Sequence, residues 1–443
     1  MTDRIPILII GDGYAAGVFA LHLLEAGVDA SRLAILGPGR LGRGKAYGCE
    51  NPDFRLNVRD DLMMLRPDDS KHFATWAEKH IDDPNAQTHA GRFFRRQDFA
   101  RYLISEIDRT LGGKELRQIR DRAVKIHAGT CWHVTTSDKR ELLADTVVLT
   151  PGNPEPQPTF PISDDISGAL INNAWKGTWT SDIDKDSDVT VIGGGLTAMD
   201  AIYTLEQRGH LGRINVITPV GILPPAQTDW VPKHPYPWPK SISGSEFLAT
   251  FRRQLGQGDW TDPDWQSSFE SLRPQISSSW QSLTHSERRR LKHKLGWWWQ
   301  LIRYRASPQT VAAAERLKAS GQLRLYHGRC QAIEGTHLDT ARITVAQADA
   351  ATSEFTTDHV LIATGAGKDP LLAEMILSGL ISGEAGGLTV DSNFNIIGPN
   401  GVPLAGIYAL GPPVAFSLGD VVGASSIGRQ AFQLAHRLEG EST

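Results

Sequence analysis

The 443-residue chain is 40% apolar and 22% charged, enough for a packed core and for two or three domains. Its 46 Lys and Arg against 50 Asp and Glu leave a formal charge of −4, too near neutral to grip a phosphate backbone by charge, so nucleic acid is not an expected partner. Cys49, Cys131 and Cys330 stand far apart with no CxxC among them, which excludes a disulfide framework, a cysteine-ligated zinc and a dithiol redox centre and fits a reducing cytoplasm. No apolar run approaches the ~18 residues that cross a bilayer, so the expectation is a soluble, cytoplasmic protein without a membrane partner.

Residues Ile5 to Ile10 form an apolar, β-branched run of strand length that stops at Gly11-Asp-Gly13-Tyr-Ala-Ala16-Gly17. An apolar helical stretch follows to Glu25, with Gly27 just past its end. Strand, glycine turn and helix in that order predict a dinucleotide site. Gly11 makes the tight turn, Gly13 lets the backbone approach a pyrophosphate, Ala16 lets the helix pack on the strand, and the helix N-terminus offers free N–H groups to the diphosphate. The second strand is expected at Arg32–Leu36, with an acid at its end for the adenosine ribose hydroxyls, yet Gly37-Pro38-Gly39 stands there. Losing such a charge-assisted bond costs about 1.5–3 kcal/mol, which a cofactor held by many contacts survives.

The run Asp145 to Leu149 is a buried-type strand ending in Thr150-Pro151-Gly152, and Asp358 to Thr364 repeats that pattern before Gly365. The two read as crossovers where the chain leaves a flavin-type domain and returns to it. Between them, Asp188–Ile192 runs into Gly193-Gly-Gly195-Leu196-Thr197-Ala198-Met-Asp200 and a helix ending near Gly209, which repeats the first motif's logic. Two such units point to one flavin and one nicotinamide dinucleotide, brought face to face for hydride transfer. The strand after the second motif, Arg213–Ile217, ends at Thr218-Pro219-Val220, without the acid that favours NAD or the arginine that favours NADP.

Eight of the twelve tryptophans fall between 230 and 299, and Pro224, Pro225, Pro232, Pro235, Pro237 and Pro239 crowd the start of that stretch. The prolines predict a stiff, extended loop of the kind that forms lids. Thr284 to Leu301 reads as a helix whose charge run, Glu287 to Lys294, is a solvated face, and the Trp297 to Trp299 triplet reads as interdomain packing. His285-Ser-Glu287 lacks a Pro-Cys-x-x-Cys partner, so no metal site is predicted. A last strand, Gly406 to Leu410, meets Gly411-Pro-Pro, and a helix follows from Ile427 to Leu438.

Leu41-Gly-Arg43-Gly44-Lys-Ala-Tyr47-Gly48, Leu56-Asn57-Val58, Met63-Met64 and His72-Phe73-x-x-Trp76 together resemble the bacterial FAD/NAD(P)-binding proteins grouped with FAD-dependent urate hydroxylase and aspartate N-monooxygenase. Phe94-Arg95-Arg96, Asn173-Ala-Trp175, Gly195-Leu196-Thr197 with Asp200, Leu272-Arg273-Pro274, Arg303-Tyr-Arg305 and Tyr408-Ala-Leu-Gly411-Pro412 extend the likeness along nearly the whole chain. The resemblance implies an α/β fold of two Rossmann-like, three-layer dinucleotide-binding domains. The NAD(P)-type domain, 166–334, would be inserted into an FAD-type domain made of 1–165 and 335–443, and would carry a Trp/Pro-rich, largely helical insert at about 224–305. It further implies that Gly11, Gly13, Ala16 and Gly17 hold the FAD pyrophosphate. Arg43, Asn57, Met63, Val124, Thr150, Pro151, Gly152 and Gly411 would lie on the FAD side, and Gly193, Gly195, Leu196 and Thr197 would form the nicotinamide cofactor's diphosphate turn. Relatives of this kind carry an acid at Gly37 and an arginine-bearing segment at Thr218 to Gly221, two departures that bear on ribose recognition and on the use of NADPH or NADH.

The leading expectation is an FAD-dependent oxidoreductase, an NAD(P)H-dependent monooxygenase that oxygenates a small molecule through a flavin C4a-(hydro)peroxide, with the Trp/Pro-rich insert excluding water. No catalytic acid or base is identified, and a structural role for His72 is favoured over a proton shuttle. The alternatives are a flavin oxidase or redox-neutral flavoenzyme with a degenerate nicotinamide site, and a non-catalytic dinucleotide-binding module.

Overall fold

Two mainly parallel sheets organise the chain, and each has a glycine turn at the end of a central strand. The computed structural model describes residues 4–440 other than 167–168, 172–173, 175–176, 234–237, 240–241, 257, 337–339 and 383–386, so Asn173, Trp175, Pro235 and Pro237 lie outside the described residues. The first motif strand, β1 (Ile5–Ile10), has β2 (Leu33–Leu36) on one side, and β3 (Arg117–Ile119) follows beyond it. An antiparallel ribbon, β4 (Ala123–Ala128) and β5 (Trp132–Thr136), leads into β6 (Glu141–Leu149), which returns parallel to β1 on its other side. Strands hydrogen-bonded on both edges and covered on both faces must be apolar throughout, and β1 buries every residue except Pro6 to that degree.

The second sheet repeats this plan. It begins with the short β7 (Leu170–Ile171) and centres on β8 (Val189–Ile192), which is flanked by β9 (Ile214–Thr218). β10 (Leu323–Gly335) lies beyond β9 and continues into an antiparallel extension, β11 (Ala341–Gln347) and β12 (Thr352–Thr357). β13 (His359–Ile362) then slots beside β8. The expected return to the flavin-type half at 335 is therefore corrected, because β11, β12 and β13 all pair within the second sheet and the return lies beyond Ile362. The Asp358 run resembles the Asp145 run because β13 does for β8 what β6 does for β1. β14 (Asn395–Ile397) and β15 (Pro403–Ala409) complete the first sheet, with β15 parallel to β6.

Helix α1 (Tyr14–Glu25) follows the first glycine turn and packs against α2 (Arg96–Leu111) and the C-terminal helix, which bounds the chain at Ala424–Gly440. Helix α3 (Leu196–Gln207) follows the second turn. The insert is three helices, α4 (Gly244–Leu255), α5 (Pro263–Ser282) and α6 (His285–Arg303), with their own aromatic core. Capping boxes start two of them, Ser243 with Glu246 and Thr284 with Glu287, so Glu287 is a helix-start residue. The Trp triplet does not pack between domains. Successive helical residues point about 100° apart and cannot share one face. Trp298 turns onto Phe251 at 5.4 Å and Trp299 onto Phe269 at 5.8 Å inside the insert, while Trp297 is 50% exposed. No helix among the described residues is long and apolar enough to cross a membrane.

Gly11 sits at φ +122°, and a Cβ there would lie 2.2 Å from the Thr150 carbonyl oxygen. Gly11→Ala is expected to destabilise the protein by about 3 kcal/mol or more, because both the backbone angle and the strand contact must change. Denaturant unfolding measures this directly, and wild-type stability in the variant would contradict the packing of β1 on β6.

Candidate functional site: two glycine turns

At the first turn the Gly11 N–H donates to the Leu36 carbonyl at 2.9 Å, and both the backbone N–H and the hydroxyl of Thr150 donate to the Ile10 carbonyl at 2.8 and 2.9 Å. The turn is thus pinned between the ends of β2 and β6, the point where connections leave a parallel sheet in opposite directions and a crevice opens. Gly13 caps α1 with no side-chain hydrogen bond, so the first-turn N–H groups carry their partial positive charge unscreened by a capping side chain. A Cβ on Gly13 would meet only Gly44 Cα, at 3.5 Å, whereas one on Gly17 would strike Gly42 Cα at 2.9 Å. Ala16 is fully buried beneath the helix. Gly11 and Gly13 therefore shape the turn, Gly13 borders the helix end, and Ala16 and Gly17 serve packing.

The other residues expected on this side divide. A Cβ on Gly411, which sits at φ +85°, would lie 3.4 Å from Ala15 Cβ, and the Gly411 N–H donates to Gln430 Oε1 at 3.1 Å, so the C-terminal segment reaches the helix end. Met63 is buried in the loop that runs between α1 and the C-terminal helix, where the Tyr14 hydroxyl donates to the Ala424 carbonyl at 2.9 Å. Pro151 and Gly152 continue directly from Thr150. Arg43 points outward and pairs with Glu50 at 3.0 Å. Asn57 faces the insert, donating to the Arg305 carbonyl at 3.3 Å and accepting at its own carbonyl from Gln227 Nε2 at 2.9 Å. Val124 stands exposed on the β4–β5 ribbon.

At the second turn Gly193 copies Gly11, with φ +116° and a hypothetical Cβ 2.3 Å from the Ala363 carbonyl oxygen. Gly195 caps α3 with no side-chain bond, and a Cβ there would meet nothing within 4 Å. Leu196 and Thr197 open α3 and are half-buried. The two halves are joined by Asp200 on α3. Its carboxylate takes Arg96 Nη2 at 3.1 Å and the Arg55 backbone N–H at 3.4 Å, while Asn51 Nδ2 donates to Thr204 Oγ1 at 3.4 Å. Burial raises the Asp200 carboxyl above its ordinary range, and the Arg96 and Arg55 contacts only partly offset it.

A second buried network fixes the insert. Asp420 accepts from Arg273 Nε at 2.6 Å and from Arg303 Nε at 2.7 Å, and Glu270 bridges Arg273 and Arg305. Burial pulls the carboxyls of Glu270 and Asp420 upward, but the surrounding guanidiniums outweigh it and hold both below their usual values. Since Asp420 lies between Gly411 and the C-terminal helix, the network clamps the insert onto the segment that meets α1. Spacing along the chain gave no sign of this pairing.

His72 accepts from, or donates to, the Tyr102 hydroxyl at 2.5 Å and lies 4.0 Å from Glu106. Burial pushes the Tyr102 phenol upward, so the phenol keeps its proton. Cys49, Cys131 and Cys330 are all free, and burial pushes the thiols of Cys49 and Cys330 up to about 11. Sequence spacing also missed His127, His133 and Glu141, whose donor atoms gather within 4.8 Å on the ribbon.

Removing Arg96 leaves the Asp200 carboxylate buried without its guanidinium. Arg96→Ala is expected to cost about 3–5 kcal/mol near neutral pH. The native state then binds the Asp200 proton more tightly than the unfolded state, so the deficit shrinks as pH falls toward the raised carboxyl range. Unfolding at about pH 7 and about pH 5 tests the sign; a deficit that grows on acidification contradicts it.

Residues 8–154 match the family model described as FAD-NAD(P)-binding. A search of curated protein sequences finds no match. Among solved structures, the chain is similar to an ornithine hydroxylase from Pseudomonas aeruginosa, at 17% identity and TM-score 0.64 over 100% of both chains. It is similar to an L-lysine 6-monooxygenase from Pseudomonas syringae, at 16% identity and TM-score 0.64 over 99% of this chain and 100% of that one. A thioredoxin reductase from T. acidophilum shares the fold at 12% identity and TM-score 0.55 over 99% of both chains. Residues 8–154 thus match an FAD-NAD(P)-binding family model, within a chain that shares its fold with these hydroxylase, monooxygenase and reductase structures.

Proposed function

We propose that the protein is an FAD-dependent oxidoreductase, and more finely an NAD(P)H-dependent monooxygenase of a small molecule in the cytoplasm. The observation that carries this reading is the pair of like turns, each an uncapped helix N-terminus at the crevice of its own sheet, held in fixed relation by Asp200 and Arg96. The residues present fit the groups. At the first turn Gly11, Gly13 and the first turn of α1 would hold the FAD diphosphate, with Gly411 and the loop through Met63 closing over it. At the second, Gly195, Leu196 and Thr197 would hold the nicotinamide cofactor's diphosphate, in a space that a Cβ on Gly195 would enter without touching protein. Bound there, FAD supplies two-electron exchange with a nicotinamide and with dioxygen.

The chain's own part is position and dryness. Asp420 and its two arginines, Arg273 and Arg303, hold the insert against the segment after Gly411, which keeps water from the crevice. Unpaired thiols support a reducing compartment, and their number and separation leave no dithiol for disulfide reduction. The second reading, a flavin oxidase with a degenerate nicotinamide site, is favoured by one observation: Thr218, buried at the end of β9, occupies the place of the usual ribose-reading residue.

Anaerobic addition of NADPH or NADH to the FAD-loaded protein separates the two. Bleaching of the flavin with either supports the first reading, and colour that persists with both supports the second. Gly195→Ala should keep wild-type stability, since nothing lies within 4 Å, while intruding on the diphosphate and weakening NAD(P)H binding roughly 5- to 150-fold. Unchanged binding by calorimetry would remove the second turn from the proposed site.

A further inference from the structure

The end of β2 lacks the ribose-reading acid, and the reason is spatial. A Cβ on Gly37 would fall 2.7 Å from Asp12 Cβ and 2.8 Å from Asp12 Oδ2, and one on Gly39 would fall 3.0 Å from the same oxygen. Asp12, the residue between the first two glycines, already fills the volume where a side chain at 37 would stand. Its Oδ2 accepts from the Gly39 N–H, which sets the direction of the carboxylate. The other oxygen, Oδ1, has no hydrogen-bond partner among the described residues, and the residue is half-buried at the crevice.

The second turn serves as an internal comparison. Ile10 lies opposite Leu36 in the first sheet as Ile192 lies opposite Ile217 in the second, so Gly37 corresponds to Thr218 and Asp12 to Gly194. A Cβ on Gly194 would fall 2.8 Å from Thr218 Cβ. In both halves the two positions share one space, and only one of them carries a side chain. The second half puts it at the strand end, whereas the first puts it in the turn.

We infer that Asp12 supplies the ribose-binding carboxylate of the first dinucleotide site, Oδ1 accepting from the adenosine ribose hydroxyls while Oδ2 stays on the Gly39 N–H. The inference rests on the reading that this turn holds FAD. Asp12 acts as a recognition residue for the nucleotide half of the cofactor, and Gly37 is small because the carboxylate reaches the same place from the neighbouring strand.

The test compares ADP with 2′,3′-dideoxy-ADP as competitors of FAD on the full chain. The wild type is expected to prefer ADP by about tenfold or more, as for loss of a charge-assisted hydrogen bond. Asp12→Ala should bind both alike, and Asp12→Asn, which keeps the side chain's size and its packing on Gly37 and Gly39, should show a reduced preference. Asp12→Gly combined with Gly37→Asp should restore it. An equal loss of affinity for both competitors in Asp12→Asn would assign Asp12 a purely structural role and overturn the inference, as would an unchanged preference. A wild type that binds neither FAD nor ADP fails differently, because the FAD reading itself then falls.

Discussion

The constraint on which the rest depends is the contact of backbone with backbone at the ends of the two central strands. Gly11 meets the Thr150 carbonyl and Gly193 the Ala363 carbonyl at distances no Cβ tolerates. Each contact forces the chain to turn abruptly out of the sheet and deliver a helix N-terminus to the crevice beside it. The glycine-rich segment from Gly37 to Gly44 then lies directly over the first turn, with the Gly42 N–H donating to the Asp12 carbonyl at 2.8 Å. A side chain at Gly17 or Gly44 would strike the backbone across this seam, at 2.9 Å from Gly42 Cα or 2.6 Å from Gly13 Cα, and push the segment away. The glycines thus give up backbone entropy in the folded state for a close approach that no other residue permits.

Two buried ionic contacts turn these local features into one machine. Asp200 with Arg96 sets the second turn against the first half, and Asp420 with Arg273 and Arg303 sets the insert against the C-terminal segment. Buried pairs of this kind contribute modestly to net stability against an apolar alternative, yet they are costly to break singly. Their effect is to admit few relative placements, since a small displacement strands a buried charge. Burial of Arg305 shows the cost plainly. Its pKa is lowered to about 10, chiefly by desolvation, even with Glu270 beside it and its guanidinium over the Phe269 ring at 5.5 Å.

What the sequence makes legible follows from range. Each glycine turn is written in about a dozen consecutive residues, so strand, turn and helix can be read together with the chemistry they suit. The return point was not legible. The β11–β12 hairpin and β13 extend the second sheet with strands that individually look like those of the first, and only pairing tells them apart. The Trp triplet was opaque for another reason, because composition records that three large rings adjoin but not that a helix turns them to different sides. Asn57 was placed near a cofactor by likeness, and its visible partners are Arg305 and Gln227, each more than 150 residues away in sequence. Contacts of that separation leave no trace in local pattern.

The frame itself is neutral about chemistry. The fold is shared with an ornithine hydroxylase, an L-lysine 6-monooxygenase and a thioredoxin reductase, so fold alone does not choose between oxygen and disulfide chemistry. What separates them here is local. Disulfide reduction by a dithiol needs two neighbouring thiols, and in this chain the three thiols are unpaired, with Cys49 buried, Cys330 partly buried, and the ionisation of both suppressed by desolvation. In their place the chain carries a helical insert with an aromatic core of its own, anchored by charge to the strand of backbone leading into the C-terminal helix. An insert with its own core, tied down by an ionic clamp, covers that segment without disturbing either glycine turn.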